Sequence, residues 1–144
     1  MLVLPTGQIM LTDFSNDIEI YTPKASHEQE DEDSGRPVVA FTPHVLNRGG
    51  SYQVFGFRFN GLSQGAAYGD DAQGATNYPL VRITNLNTGH VFYSRTHDHS
   101  SMAVASDDFV STHYDVPANQ ETGRSKLEVV ANGIASAPVF VSVQ

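Results

Sequence analysis

The chain has 144 residues and a mass of 15.6 kDa, a length that makes one domain and buries roughly 68–70% of the unfolded surface without a disulfide or structural metal. Eight lysines and arginines against sixteen aspartates and glutamates leave a formal charge of −8, and there is no cysteine. A field of that sign repels nucleic-acid phosphates and anionic lipid, and the missing thiols exclude disulfide scaffolds, zinc–thiolate sites, iron–sulfur clusters and thiol catalysis. No run approaches the ~18 consecutive apolar residues of a membrane span, and Met1 to Leu4 is too short for a signal-peptide apolar region, so neither nucleic-acid binding nor membrane insertion is expected.

Residues 1–23 read as a β-hairpin: two short apolar strands between Leu2 and Tyr21, split by the turn formers Ser15, Asn16 and Asp17. A hairpin alone is marginal in water, so this one needs neighbours in the main domain, a second copy or another chain. Residues 24–35 hold five of the sixteen carboxylates, Glu28, Glu30, Asp31, Glu32 and Asp33, and almost nothing apolar. Such a run cannot offset the entropy of being ordered and reads as a solvated acidic linker, with a cation-binding patch as the alternative.

Residues 36–144 carry recurring strand signals and no segment with a clean helical period. Ser51 to Phe59 alternates so that Phe55, Phe57 and Phe59 fall on one face and Tyr52 and Val54 on the other, with Gly56 marking a bulge or a close approach. Leu80 to Thr84 and Val91 to Arg95 flank Asn85-Leu86-Asn87-Thr88-Gly89, a hairpin loop by composition. Further strands are expected at Ser101 to Ala105, Phe109 to Val116, Lys126 to Ala131 and Val139 to Val143, the Lys126 strand closing at Asn132-Gly133. Seven or so short strands in this length predict an all-β fold, an antiparallel β-sandwich.

Residues 60–77 interrupt the pattern with four glycines, four alanines and Asp70-Asp71. A connection this long is a binding loop or a mobile one. Asp70 and Asp71, with Asn77, are candidate calcium ligands although the spacing matches no EF-hand, and Tyr68 and Tyr78 are candidate carbohydrate contacts.

Leu4-Pro5-Thr6-Gly7-Gln8-Ile9-Met10-Leu11 followed by Asp17-Ile18-Glu19-Ile20-Tyr21-Thr22-Pro23 resembles the last part of a kelch-type propeller blade. From Arg36 onward, the strand order and the ending Leu127-Glu128-Val129-Val130-Ala131-Asn132-Gly133-Ile134-Ala135-Ser136-Ala137-Pro138 are similar to the immunoglobulin-like domain that follows the propeller in galactose-oxidase-like proteins. The resemblance implies an early-set immunoglobulin-like sandwich behind the remnant of a blade, a kelch propeller as partner, and, by analogy, an extracellular or periplasmic location. It also implies one chemical role. In copper-radical oxidases this domain gives a histidine to the copper site, and Tyr93-Ser94-Arg95-Thr96-His97-Asp98-His99 occupies a similar place. His97 is the closer candidate and His99 the second, since imidazole suits Cu(II) and residues i and i+2 of an extended segment project to one side. The chain lacks the cysteine-crosslinked tyrosine and most of the propeller, so it is not itself that enzyme.

The bland reading of the same histidines is a polar turn. His44, His90 and His113 stand on separate strands, no Gly-x-Ser-x-Gly elbow orders a triad, and no helix follows a glycine cluster to cradle phosphate. The expected function is a non-catalytic interaction or structural module without a cofactor, which packs against a propeller or forms a dimer through its N-terminal hairpin. The alternatives are donation of a histidine to a copper site completed by another chain, and a glycan- or calcium-binding module using the 60–77 loop.

Overall fold

The computed structural model describes residues 2–13, 15–23, 35–62, 67–68, 72–73 and 78–144. Its elements in chain order are β1 (Leu2–Val3), β2 (Ile9–Leu11), β3 (Glu19–Tyr21), β4 (Val38–Phe41), β5 (Val45–Leu46), β6 (Ser51–Phe57), β7 (Ala67–Tyr68) and β8 (Ala72–Gln73). They continue with β9 (Leu80–Asn85), β10 (Val91–His97), β11 (Val110–Asp115), β12 (Gly123–Ala131), β13 (Ile134–Ala135) and β14 (Val139–Val143). The acidic linker, apart from Gly35, lies outside the described residues, as do Asp70, Asp71 and Asn77. No helix of the described residues is long and apolar enough to cross a membrane.

The N-terminal segment is a three-stranded meander, not a two-stranded hairpin. β1 pairs with β2 and β2 with β3, all antiparallel. The expected first strand breaks at Leu4–Gly7 because Pro5 has no N–H to give a ladder and Gly7 adopts a left-handed φ of 81°. Within that turn the Gly7 amide donates to the Leu4 carbonyl at 2.9 Å. The turn at Ser15–Asp17 joins β2 to β3 as its composition predicts, with the Asp17 amide donating to Ser15 Oγ at 3.1 Å.

The rest is a sandwich. One layer runs β4–β6–β11 and ends on the C-terminal half of β10, where Arg95, Thr96 and His97 pair with Asp115, Tyr114 and His113. The other begins on the N-terminal half of β10, where Val91 to Ser94 pair with Thr84 to Val81, and continues β9–β12–β14–β5, with β13 beside β12. Every pairing is antiparallel except β14 with β5, which is parallel. A four-strand layer facing strands linked in this order, with the first strand's continuation lying parallel to the last strand, is an immunoglobulin-like arrangement. The layers meet in one core that includes Leu46, Val54, Phe59, Val81, Ile83, Tyr114, Leu127, Val129, Val141 and Val143. At its centre the Tyr114 hydroxyl lies 2.8 Å from Thr42 Oγ1, so the buried phenol is satisfied. Burial pushes its ionisation up to about 12, and the Thr42 bond only partly opposes that.

Two expectations about faces and strands are corrected. Phe55 and Phe57 share the outer face of β6, but Phe59 does not join them. Arg58 takes a left-handed φ of 58°, which breaks the alternation and turns Phe59 into the core. It packs beneath Gly56, where a Cβ would meet the Phe59 ring at 2.8 Å and collide with the Val38 carbonyl, so Gly56 marks the close approach its position suggests. Opposite it, β4 is bulged between Val39 and Phe41. Ser101 to Ala105 forms no strand: Ser101 Oγ accepts the Ala103 amide at 3.1 Å, a local bond that competes with a ladder, and Ala105 adopts a φ of 56°.

The glycine-bearing turns behave as their sequence demands. Asn85 Oδ1 accepts the amides of Asn87 and Thr88 at 2.8 and 3.2 Å, fixing the β9–β10 loop. Asn132 and Gly133, with φ of 52° and 77°, form the two-residue turn between β12 and β13. That turn also meets the N-terminal meander: a Cβ on Gly133 would lie 2.6 Å from the Gly7 Cα. Glycine at 133 lets the two backbones touch, while at Gly7 a Cβ would make only an ordinary contact of 3.5 Å with the Gly133 carbonyl.

Candidate functional site

Three surfaces stand out, and the first is the N-terminal meander. None of its described residues is buried, and Ile18, Ile20 and Tyr21 are 66, 49 and 55% exposed. A sheet normally hides one apolar face against another layer. Here β1 and β3 are edge strands, β2 is half-buried and β3 is exposed at every position.

A second surface lies on the outer face of the β4–β6–β11 layer. Phe55 and Phe57 project outward from β6, and Phe109, just before β11, stacks on Phe55 at 6.1 Å between ring centroids and meets Phe57 edge-on at 5.3 Å. Phe41 adds a fourth ring 6.2 Å from Phe55. Phe41 and Phe109 are each 59% exposed, so the cluster is an aromatic patch open to solvent.

The third is the histidine–carboxylate cluster at the other end of that layer, where β10, β11 and β6 run side by side. Register puts His97 beside His113 and Arg95 beside Asp115, with Ser51 across from Asp115. The His97 ring is held at both nitrogens: Nδ1 lies 2.8 Å from Asp98 Oδ2 and Nε2 lies 3.1 Å from Asp115 Oδ1. It also stacks on the His113 ring at 5.6 Å. The bonds from Asp98 and then Asp115 hold the His97 pKa above the ordinary imidazole value. Asp98 and Asp115 are correspondingly held below the usual carboxylate range, Asp98 mainly by His97 and Asp115 by Ser51 and then His97.

His99 goes elsewhere. Asp98 has a φ of 49°, so the segment is not extended there and the i, i+2 rule fails. The His99 Nδ1 lies 2.8 Å from the hydroxyl of Thr112, a buried residue on the inner side of β11, whereas His97 lies against outer-side residues. Tyr78 meets the His99 ring edge-on at 4.6 Å. The His99 Nε2 is buried without a hydrogen-bond partner among the described residues, and burial, followed by the charge of His97, pushes its pKa down.

Of the residues singled out in the sequence, His97 and His99 are therefore neighbours in the chain that serve opposite sides of one strand. As a copper site within this chain they do not fit: both His97 nitrogens are engaged by carboxylates, His99 offers one enclosed nitrogen, and no cysteine is present for a crosslinked tyrosine. Among the described residues no three histidine, aspartate or glutamate side chains converge to hold a metal. The Tyr78 hydroxyl donates to the Thr96 carbonyl at 3.0 Å and is used within the fold. Tyr68 ends β7, and Asp70 and Asp71 lie outside the described residues. Sequence reasoning missed Phe41, Phe109, Asp115 and Ser51. The first two belong to a patch whose signal was the Phe55–Phe57 alternation, while the last two reach His97 only through strand pairing.

No family model and no curated protein matches the chain. Among solved structures it is similar to one described as the crystal structure of the Lin-41 filamin domain, at 9% identity and a TM-score of 0.41, covering 75% of this chain and 91% of that one.

Proposed function

We propose that this protein is a non-catalytic interaction module, an immunoglobulin-like sandwich that presents its N-terminal meander to a partner. The observation that carries the reading is that none of the meander's described residues is buried, with Ile18, Ile20 and Tyr21 facing water. Burial of apolar side chains of this kind against a partner stabilises association by roughly 25 cal/mol per Å² removed from water, before the costs of docking. The resemblance of the segment to the end of a kelch blade makes a propeller domain the favoured partner and a second copy the other one, and an early-set sandwich the finer class. Light scattering of the protein alone at rising concentration, and mixed with a kelch propeller domain, tests this. The expected result is a complex in at least one arm that Ile18→Asp/Ile20→Asp abolishes; a monomer in both arms overturns it.

Donation of His97 to a copper site completed by another chain, and use of the 60–77 loop for a glycan or calcium, are secondary readings. The first would require His97 to leave its two carboxylates.

A further inference from the structure

β4 is the outermost strand of its layer: it pairs with β6, and its other edge carries no ladder among the described residues. Its sequence, Val-Val-Ala-Phe, holds none of the lysines or prolines that commonly keep an edge from pairing, and Pro37 and Pro43 bound it to a short stretch. Register fixes its two faces. Val38 lies opposite Phe57 and Phe41 opposite Phe55, so both stand with those rings on the outer face, the bulge between Val39 and Phe41 having removed the usual two-residue step. Both are exposed. Val39, opposite Gly56, turns inward and packs on the core.

Beneath this edge the two layers do not close. β5 pairs with β14 only at Ser142 and Val143. Where β14 starts there is a cavity of about 450 Å³, lined from β4 by Val39, from the opposite layer by Pro138 and Val139, and by Arg36 and Arg58. In a chain of charge −8 this mouth carries cationic side chains, and the Arg58 Nε also donates to Asp107 at 3.0 Å.

We infer that the outer edge of β4 is a docking site for an extended apolar peptide that joins the layer as a further strand. Alternation sends the side chains of such a strand two ways: one set lies against Val38 and Phe41 on the outer face, and the other enters the mouth over Val39 and Val139. Arg36 and Arg58 at that mouth favour an acidic residue in the second set. A second rigid copy fits this place less well. At roughly 150–250 Å² for a whole phenylalanine side chain, the exposed parts of Phe41 and Phe109 come to on the order of 250 Å², against the ~800 Å² per partner of a standard interface. A peptide adds main-chain hydrogen bonds and a set of side chains in the cavity, neither of which the aromatic patch supplies. The inference uses no residue of the N-terminal meander and stands without the reading proposed above.

The test is calorimetric titration of the whole chain with a capped octapeptide alternating threonine and valine, with glutamate for the third threonine. The peptide is expected to bind. The same peptide N-methylated throughout, which keeps its side chains but offers no N–H, is expected to bind at least tenfold more weakly, and one with lysine for the glutamate at least threefold more weakly. Phe41→Ser is expected to weaken binding at least fivefold with an unchanged circular-dichroism spectrum; if that variant does not fold, Val38→Ser is expected to weaken it at least threefold. Ile18→Asp/Ile20→Asp is expected to bind as the unaltered protein does. No binding up to about 1 mM, equal binding of the N-methylated or lysine peptide, unchanged affinity in the folded edge variant, or loss of binding in the meander variant would each overturn the assignment. Self-association of the chain that Phe41→Ser abolishes would give the edge to a second copy and overturn it as well.

Discussion

The sandwich and the N-terminal meander are both made of short antiparallel strands, but they differ in what lies under them. In the sandwich, β9 alternates half-buried and buried residues along its length, and its inward side chains Val81 and Ile83 meet Leu127, Val129 and Val141 from neighbouring strands. In the meander, β3 is exposed at every position. Strand propensity is similar in the two; the difference is that the sandwich brings two layers together and the meander brings one. Stability therefore belongs to the sandwich, and apolar side chains of the meander such as Ile18 and Ile20 are left exposed.

The sharpest way to break this contrast is a pair of truncations. Leu127→Ala is expected to destabilise the protein by about 2–5 kcal/mol, measured by urea unfolding, because Leu127 is fully enclosed. Ile20→Ala is expected to cost about 0.5 kcal/mol or less in the isolated protein. Equal costs would mean that the meander is part of the same core. Next in size is Tyr114→Phe, which strands the enclosed Thr42 hydroxyl and should cost about 1–3 kcal/mol by the same measurement.

Gly133→Ala probes the seam between the regions. A side chain there needs a left-handed backbone, at about 1–2 kcal/mol, and pushes against Gly7. Limited proteolysis should then cut within residues 1–23 faster, while the sandwich stays resistant. Unchanged cleavage would show that the Gly7–Gly133 contact does not hold the meander in place.

The smallest effect concerns pH. His97 has a folded pKa above the ordinary 6.5, so its contribution to stability is complete below that value and is lost as pH rises through the folded value. His99 has the opposite sign: its folded pKa is depressed, and stability falls as pH drops below 6.5. His97→Gln should therefore flatten the alkaline side of a melting-temperature profile between about pH 5.5 and 8.5 and leave the acid side sloping. A profile unchanged on the alkaline side would remove His97 from the account.

Much of the sandwich was legible because alternation, Asn–Gly turns and the Asn85–Gly89 loop are local signals. β14 falls at Val139–Val143 as expected, and β9 and β12 differ from expectation only in their ends. What stayed hidden depends on single backbone angles or on distant pairing. Period-two alternation puts Phe59 on the wrong face because nothing in the sequence announces that Arg58 is left-handed. His97 and His99 do not form the pair that i, i+2 spacing implies, because Asp98 between them is likewise left-handed. β5, two residues long, owes its existence to a parallel partner almost a hundred positions away. The anchoring of His97 by Asp115 likewise exists only once β10 and β11 are in register.

β10 makes four ladder pairs with one layer and then three with the other along a single uninterrupted backbone. The two halves of the core are thus riveted by covalent bonds as well as by packing. Sliding one layer over the other would have to tear that strand from a neighbour, so the domain should yield to mechanical load as one unit, and amides at the crossover Ser94–Arg95 should exchange with solvent only on complete opening.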